Sequence, residues 1–146
     1  MTDPGEPITI LLAEDNPGDV KLTEKALEKG QIQNALHVVT DGVEAMQFLK
    51  REDEYTDAPR PDLVLLDLNM PRKSGREVLE ELQAFESLRR IPVVVLTSSE
   101  AEQDIIDSYD RYANAYLTKP VDFEGFVDII RRIEEFWLTV VKQPPA

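Results

Sequence analysis

The chain has 146 residues, 42% of them hydrophobic and 31% charged, no cysteine, and a formal net charge of −13 from 29 acidic and 16 basic side chains. Such a composition describes one globular domain and excludes disordered chains, disulfide frameworks and thiolate chemistry. The acidic surface opposes phosphate backbones and anionic lipid, and no apolar run approaches the roughly 20 residues of a bilayer span.

The N-terminal MTDPGEP lacks the basic and apolar blocks of a signal peptide, so a cytoplasmic location is expected. ITILLA (8–13) then reads as a first buried strand, too short and too apolar for a helix. Val20, Thr23 and Leu27 mark a first helix, with Asn16 as N-cap and Pro17 at its first position. LHVVT (36–40) is a second strand, and Ala45, Phe48 and Leu49 a second helix opened by Asp41 with Glu44 three residues on. REDEYTDAPRP (51–61) is the longest loop-like stretch, before the buried strand LVLL (63–66). Val78, Leu79, Leu82 and Phe85 form a third helical stripe behind a Ser74–Glu77 capping box.

The run IPVVVLT (91–97) is a fourth strand. Ile105, Ile106 and Tyr109 mark a fourth helical stretch, behind Ser99 and Glu102 at capping-box spacing, and AYLT (115–118) is a fifth strand. Phe126, Ile129, Ile130, Ile133, Trp137 and Val140 form a last stripe capped by Asp122, about 20 residues or roughly 30 Å long. Strand then helix, repeated five times, predicts one α/β domain with a doubly wound parallel sheet and helices on both faces. Its core is expected at about 8–141 of residues 1–146, with MTDPGEP and KQPPA frayed.

In such sheets ligands bind beyond the carboxyl ends of the strands. Glu14 and Asp15 follow the first strand, Asp67 the third, Thr97 the fourth, and Lys119 the fifth. A parallel sheet brings all five to one edge. Taken singly, each has a plain structural meaning: acids opening a helix, a turn before MPRKSG, a helix-entry hydroxyl, a strand end. Together, three carboxylates in one place require a compensating cation. Lys119 supplies one charge, and a divalent ion held by oxygens, Mg²⁺ above all or Mn²⁺, supplies more. Zinc is disfavoured, since no His or Cys is near.

The motifs LLAEDN, LLDLNMP, VVVLTSS and LTKP, in this order over roughly residues 8–133, resemble the receiver domain of two-component response regulators. The resemblance implies a flavodoxin-like five-stranded sheet of order 2-1-3-4-5. It implies Asp67 as phosphoacceptor and Glu14, Asp15, Asp67 and the Asn69 backbone carbonyl as metal ligands. Thr97 and Lys119 would contact the phosphoryl group, Thr97 and Tyr116 would form the switch, and the Lys119–Pro120 bond would be cis. The donor would be a phosphohistidine on a sensor histidine kinase. The chain's one histidine, His37, lies in the second strand and reads as structural.

Phosphorylation would then reshape the face made by the fourth helical stretch, the fifth strand and the last helix, so that output is a docking or dimerisation event. Phe136, Trp137 and Val140 offer an interface there, for a homodimer or a kinase. Trp137 folded back on its own domain is the other reading. The EEFWL ending, with the long loop before the third strand, looks like the stand-alone receivers that serve phytochrome-type histidine kinases. Three other classes are weighed. A haloacid-dehalogenase-type phosphohydrolase requires an Asp where Asn69 stands. A flavin or dinucleotide carrier would show G-x-G-x-x-G after the first strand. An unphosphorylated pseudo-receiver scaffold has no need of Asp67, Thr97 or Lys119.

Overall fold

In the computed structural model, which describes residues 7–97 and 115–138, strands and helices alternate from the first strand to the fourth. They are β1 (Ile8–Ala13), α1 (Pro17–Glu28), β2 (Asn34–Val39), α2 (Gly42–Lys50), β3 (Leu63–Asp67), α3 (Gly75–Gln83), β4 (Val93–Thr97), β5 (Ala115–Thr118) and α4 (Phe123–Phe136). A 3-10 turn, Asp53–Tyr55, interrupts the loop before β3. The fourth helical stretch expected around Ile105, Ile106 and Tyr109, with Ser99 and Glu102, lies outside the described residues, as does Val140.

All strand pairs are parallel, in the order β2-β1-β3-β4-β5. The central strands β3 and β4 are buried at every position, which is why LVLLD and VVVLT carry no polar alternation. Alternate side chains of each strand feed two cores. Leu11, Val64, Leu66 and Val95 pack with α2 and α3 on one face; Ile10, Leu12, Leu63, Leu65 and Val94 pack with α1 and α4 on the other.

Helix starts follow the sequence. Asn16, Asp41, Ser74 and Asp122 each accept hydrogen bonds from backbone N–H groups in the first turn of their helix, and Ser74 with Glu77 completes a capping box. On α4, Phe126, Ile129, Ile130 and Ile133 are buried. Trp137 follows them inward: it is 8% exposed and packs against the α1/α4 core. The fold-back reading therefore holds for its ring, because its large apolar surface extends the α4 stripe over the sheet. Phe136 is half-buried against the same core.

The α1–β2 connection is tied to α4. Glu134 accepts the Ile32 N–H at 2.9 Å, and a Cβ on Gly30 would lie 2.3 Å from the same carboxylate. His37 on β2 sits 5.4 Å ring to ring from Phe48 of α2, a structural contact. Among the described residues no helix is long and apolar enough to cross a membrane.

Candidate functional site

Parallel pairing brings the carboxyl ends of β1, β3, β4 and β5 to one edge, and the polar residues that follow them meet there. Glu14, directly after β1, donates its N–H to Val39 O and is 1% exposed. Asp15 beside it is exposed, and Asp67 at the end of β3 is 3% exposed. Each of these carboxylates offers an oxygen within 4.8 Å of the others.

Lys119 joins them from beyond β5. Its N–H donates to Thr97 O at 2.7 Å, which fixes the backbone against β4. Its ammonium lies 2.6 Å from Glu14 Oε1, 3.1 Å from Asp19 Oδ2 and 3.4 Å from Asp67 Oδ2. The ammonium has three N–H donors, and three carboxylates surround it.

Charge shapes this site. Burial pushes the Asp67 carboxyl up to about 7, the neighbouring Glu14 carboxylate adds to the rise, and Lys119 opposes it. Burial alone would lower the Lys119 ammonium, but its hydrogen bond to Glu14 and the charges of Asp67 and Glu14 outweigh that and hold it above the ordinary lysine value. Lys119 therefore stays charged while Asp67 balances between acid and carboxylate near neutral pH.

The loop after β3 is held in place by its own backbone. Asn69, exposed at the rim, donates its N–H to Asp67 Oδ1 at 3.3 Å, and the Gly75 N–H donates to Leu68 O at 2.8 Å. Thr97 is fully buried at the end of β4. Tyr116 on β5 pairs with Val95 and is half-buried against the α2/α3 core.

One expectation is corrected. No peptide bond is cis among the described residues, so Lys119–Pro120 is trans. The trans form is the intrinsic preference of such a bond by about 0.5–1 kcal/mol, and Lys119 reaches the carboxylates from it.

Two further groups belong to the site's surroundings. Asp19 reads in the sequence as an acid favoured by the first turn of a helix, and only the fold brings it to Lys119. Arg72, in the loop after β3 with a φ of 65°, donates from Nε and Nη2 to Asp41 Oδ2 at 2.9 and 2.7 Å, linking the β2–α2 and β3–α3 loops.

The residues fit a divalent cation. Three oxygens, two of them on buried acids, converge without His or Cys, the donor set of a hard, oxygen-seeking ion. A nucleophilic carboxylate beside a lysine and such a set suits acceptance of a phosphoryl group.

Known proteins agree. Residues 10–131 match the family model described as "Response regulator receiver domain". The chain is 46% identical over 140 residues to response regulator Rcp1 of Synechocystis sp., covering 96% of this chain and 95% of that protein. The crystal structure of the phosphorylated cyanobacterial phytochrome response regulator RcpA superposes with a TM-score of 0.85 at 46% identity, covering 96% of this chain and 100% of that one. The Mn²⁺-bound form of Rcp1 superposes with a TM-score of 0.83 at 45% identity, covering 95% of this chain and 100% of that one. With its sheet order, its acidic edge and the match over most of its length, this chain belongs to the response regulator receiver domain family.

Proposed function

We propose that the chain is a phosphorylation-activated switch in which Asp67 takes a phosphoryl group from a phosphohistidine of a sensor histidine kinase. The observation that carries this reading is Asp67 itself: a buried carboxyl, pushed up to about 7, within 3.4 Å of a charged lysine at the carboxyl edge of the sheet. Family membership places the protein in two-component signalling and supports a signalling role rather than enzymatic turnover.

In the proposed step an Asp67 oxygen attacks phosphorus, the P–N bond to imidazole breaks, and a P–O bond forms an acyl phosphate. The departing imidazole takes up a proton. Glu14, Asp15, Asp67 and the Asn69 carbonyl would hold Mg²⁺ or Mn²⁺, which supplies positive charge to the transferring oxygens. Lys119 supplies the protein's own positive charge and orients the group, and the Thr97 hydroxyl is the donor on the β4 side.

The charge gained by Asp67 draws Thr97 and Lys119 inward, and Tyr116 turns into the space that Thr97 leaves. The face around β5 and α4 then presents a changed surface for docking or dimerisation, with Phe136 rather than the buried Trp137 at its rim. The likeness to phytochrome response regulators supports a phytochrome-type kinase as donor. The test is transfer of labelled phosphate from an autophosphorylated phytochrome-type kinase. Label should pass to the wild-type chain and not to Asp67→Asn. Label on both would place the acceptor elsewhere.

A further inference from the structure

Asp19 stands outside the three carboxylates that fit a divalent ion, yet its Oδ2 is nearer to the Lys119 ammonium, at 3.1 Å, than Asp67 Oδ2 is at 3.4 Å. Its place is built into α1. Asn16 Oδ1 accepts the Asp19 N–H at 3.1 Å, and the Asp19 carbonyl accepts the hydroxyl of the buried Thr23 at 2.8 Å. A regular first turn of α1 thus presents this carboxylate to the lysine.

Of the three carboxylates around Lys119, Glu14 and Asp67 also belong to the metal set, and Asp19 alone does not. A cation drawn to Glu14 and Asp67 would compete for the oxygens that hold Lys119, whereas Asp19 lies outside that set and is left to the ammonium. The three N–H donors of Lys119 already face Glu14, Asp19 and Asp67, so phosphoryl oxygens added at Asp67 compete with Asp19 for the same ammonium. A carboxylate that stabilises the resting position of Lys119 opposes phosphorylation by the same amount.

We propose that Asp19 is a positioning residue, a resting counter-ion of Lys119 beside Glu14, which competes with the phosphoryl group and limits how far Asp67 is phosphorylated. This inference rests on the phosphoacceptor reading given above. Asp19 is about a quarter exposed, so the ion pair should shift the equilibrium by roughly two- to fivefold.

The test uses the full chain with saturating Mg²⁺ and acetyl phosphate. Intact mass reads the ratio of phosphorylated to unphosphorylated protein, and its decay follows after the donor is removed. Asp19→Asn should raise that ratio about two- to fivefold and slow the decay. Asp19→Glu, which restores the carboxylate, should return both towards wild type. Glu24→Gln removes the same charge from an exposed position on α1 and should leave both unchanged. The ¹⁵N resonance of the Lys119 ammonium should move in metal-free Asp19→Asn and not in Glu24→Gln. An unmoved resonance, an unchanged ratio, or an equal rise in Glu24→Gln overturns the proposal. A wild-type chain that gains no phosphoryl group on Asp67 overturns the phosphoacceptor reading itself, and the proposal with it.

Discussion

Lys119 Nζ lies 2.6 Å from Glu14 Oε1 and 3.4 Å from Asp67 Oδ2, so a single ammonium bridges two buried acids at the ends of different strands. Remove it and both acids keep their burial and mutual repulsion without a counter-charge. Lys119→Met should therefore lower the metal-free stability by about 3 kcal/mol, the usual cost of breaking a buried pair from one side. Urea unfolding of the two proteins measures this. Equal midpoints and slopes would mean that solvent already screens the acids.

Metal should stabilise the folded chain, because the unfolded chain does not hold Glu14, Asp15 and Asp67 together. At Mg²⁺ about 100 times its dissociation constant the gain is roughly 2.7 kcal/mol, read as a rise in melting temperature that Asp15→Asn should reduce. The carboxyl of Asp67 is raised to about 7, so protons compete with the cation. Mg²⁺ affinity should weaken as the pH falls through about 7, far above the ordinary aspartate value of 3.8. A titration flat across that range would contradict the shift.

At low pH, acid should also loosen the junction of the two loops flanking the site. Burial alone would raise the Asp41 carboxyl, but the Glu44 N–H and the Arg72 guanidinium outweigh it and hold it below 3.8. A depressed carboxyl contributes stability in full above its unfolded value and loses it as pH falls through the folded one. Asp41→Asn keeps a side chain able to cap α2 but cannot ionise. The stability gap between wild type and this variant should be present at neutral pH and close below about 3.8. Denaturant curves over that range check it, and a constant gap would show that the ion pair with Arg72 adds nothing.

Gly75 leaves no room behind the acceptor. A Cβ there would fall 2.4 Å from the Asp67 carbonyl oxygen and 2.8 Å from Leu68 Cα. Both are backbone atoms at the end of β3, so relief has to move the strand end. Gly75→Ala should cost about 1–3 kcal/mol and slow phosphorylation of Asp67 by more than a Gly-to-Ala change at the exposed Gly18 does. Unfolding curves and phosphorylation rates for both variants decide it.

The strands were legible because LVLL-type runs between turn residues have few other solutions, and the caps because Asn16, Asp41, Ser74 and Asp122 each precede an apolar stripe. The boundaries shifted where burial is partial. β2 begins at Asn34 rather than Leu36, since an edge strand of mixed exposure has no clean apolar start. Glu14, Asp15, Asp67, Thr97 and Lys119 could be placed on one edge because a parallel sheet sends every strand end the same way.

Asp19 and Arg72 were not legible, for a common reason. Each acts through a partner distant in sequence, Lys119 for one and Asp41 for the other, and nothing local separates them from ordinary surface charges. Trp137 was ambiguous in the sequence because an amphipathic ring suits both a core and an interface. Its burial in the α1/α4 core, which also holds Ile133, Leu27 and Ile8, resolves the ring towards the core.

The central claim is that Asp67 accepts a phosphoryl group with the help of a divalent ion. Intact-mass spectrometry after incubation with Mg²⁺ and acetyl phosphate, beside a chelated sample and Asp67→Asn, tests it most directly. The account predicts one phosphoryl adduct on the wild-type chain, lost with chelator and absent from the variant. An adduct that persists in Asp67→Asn, or no adduct on a folded wild-type chain, would contradict it.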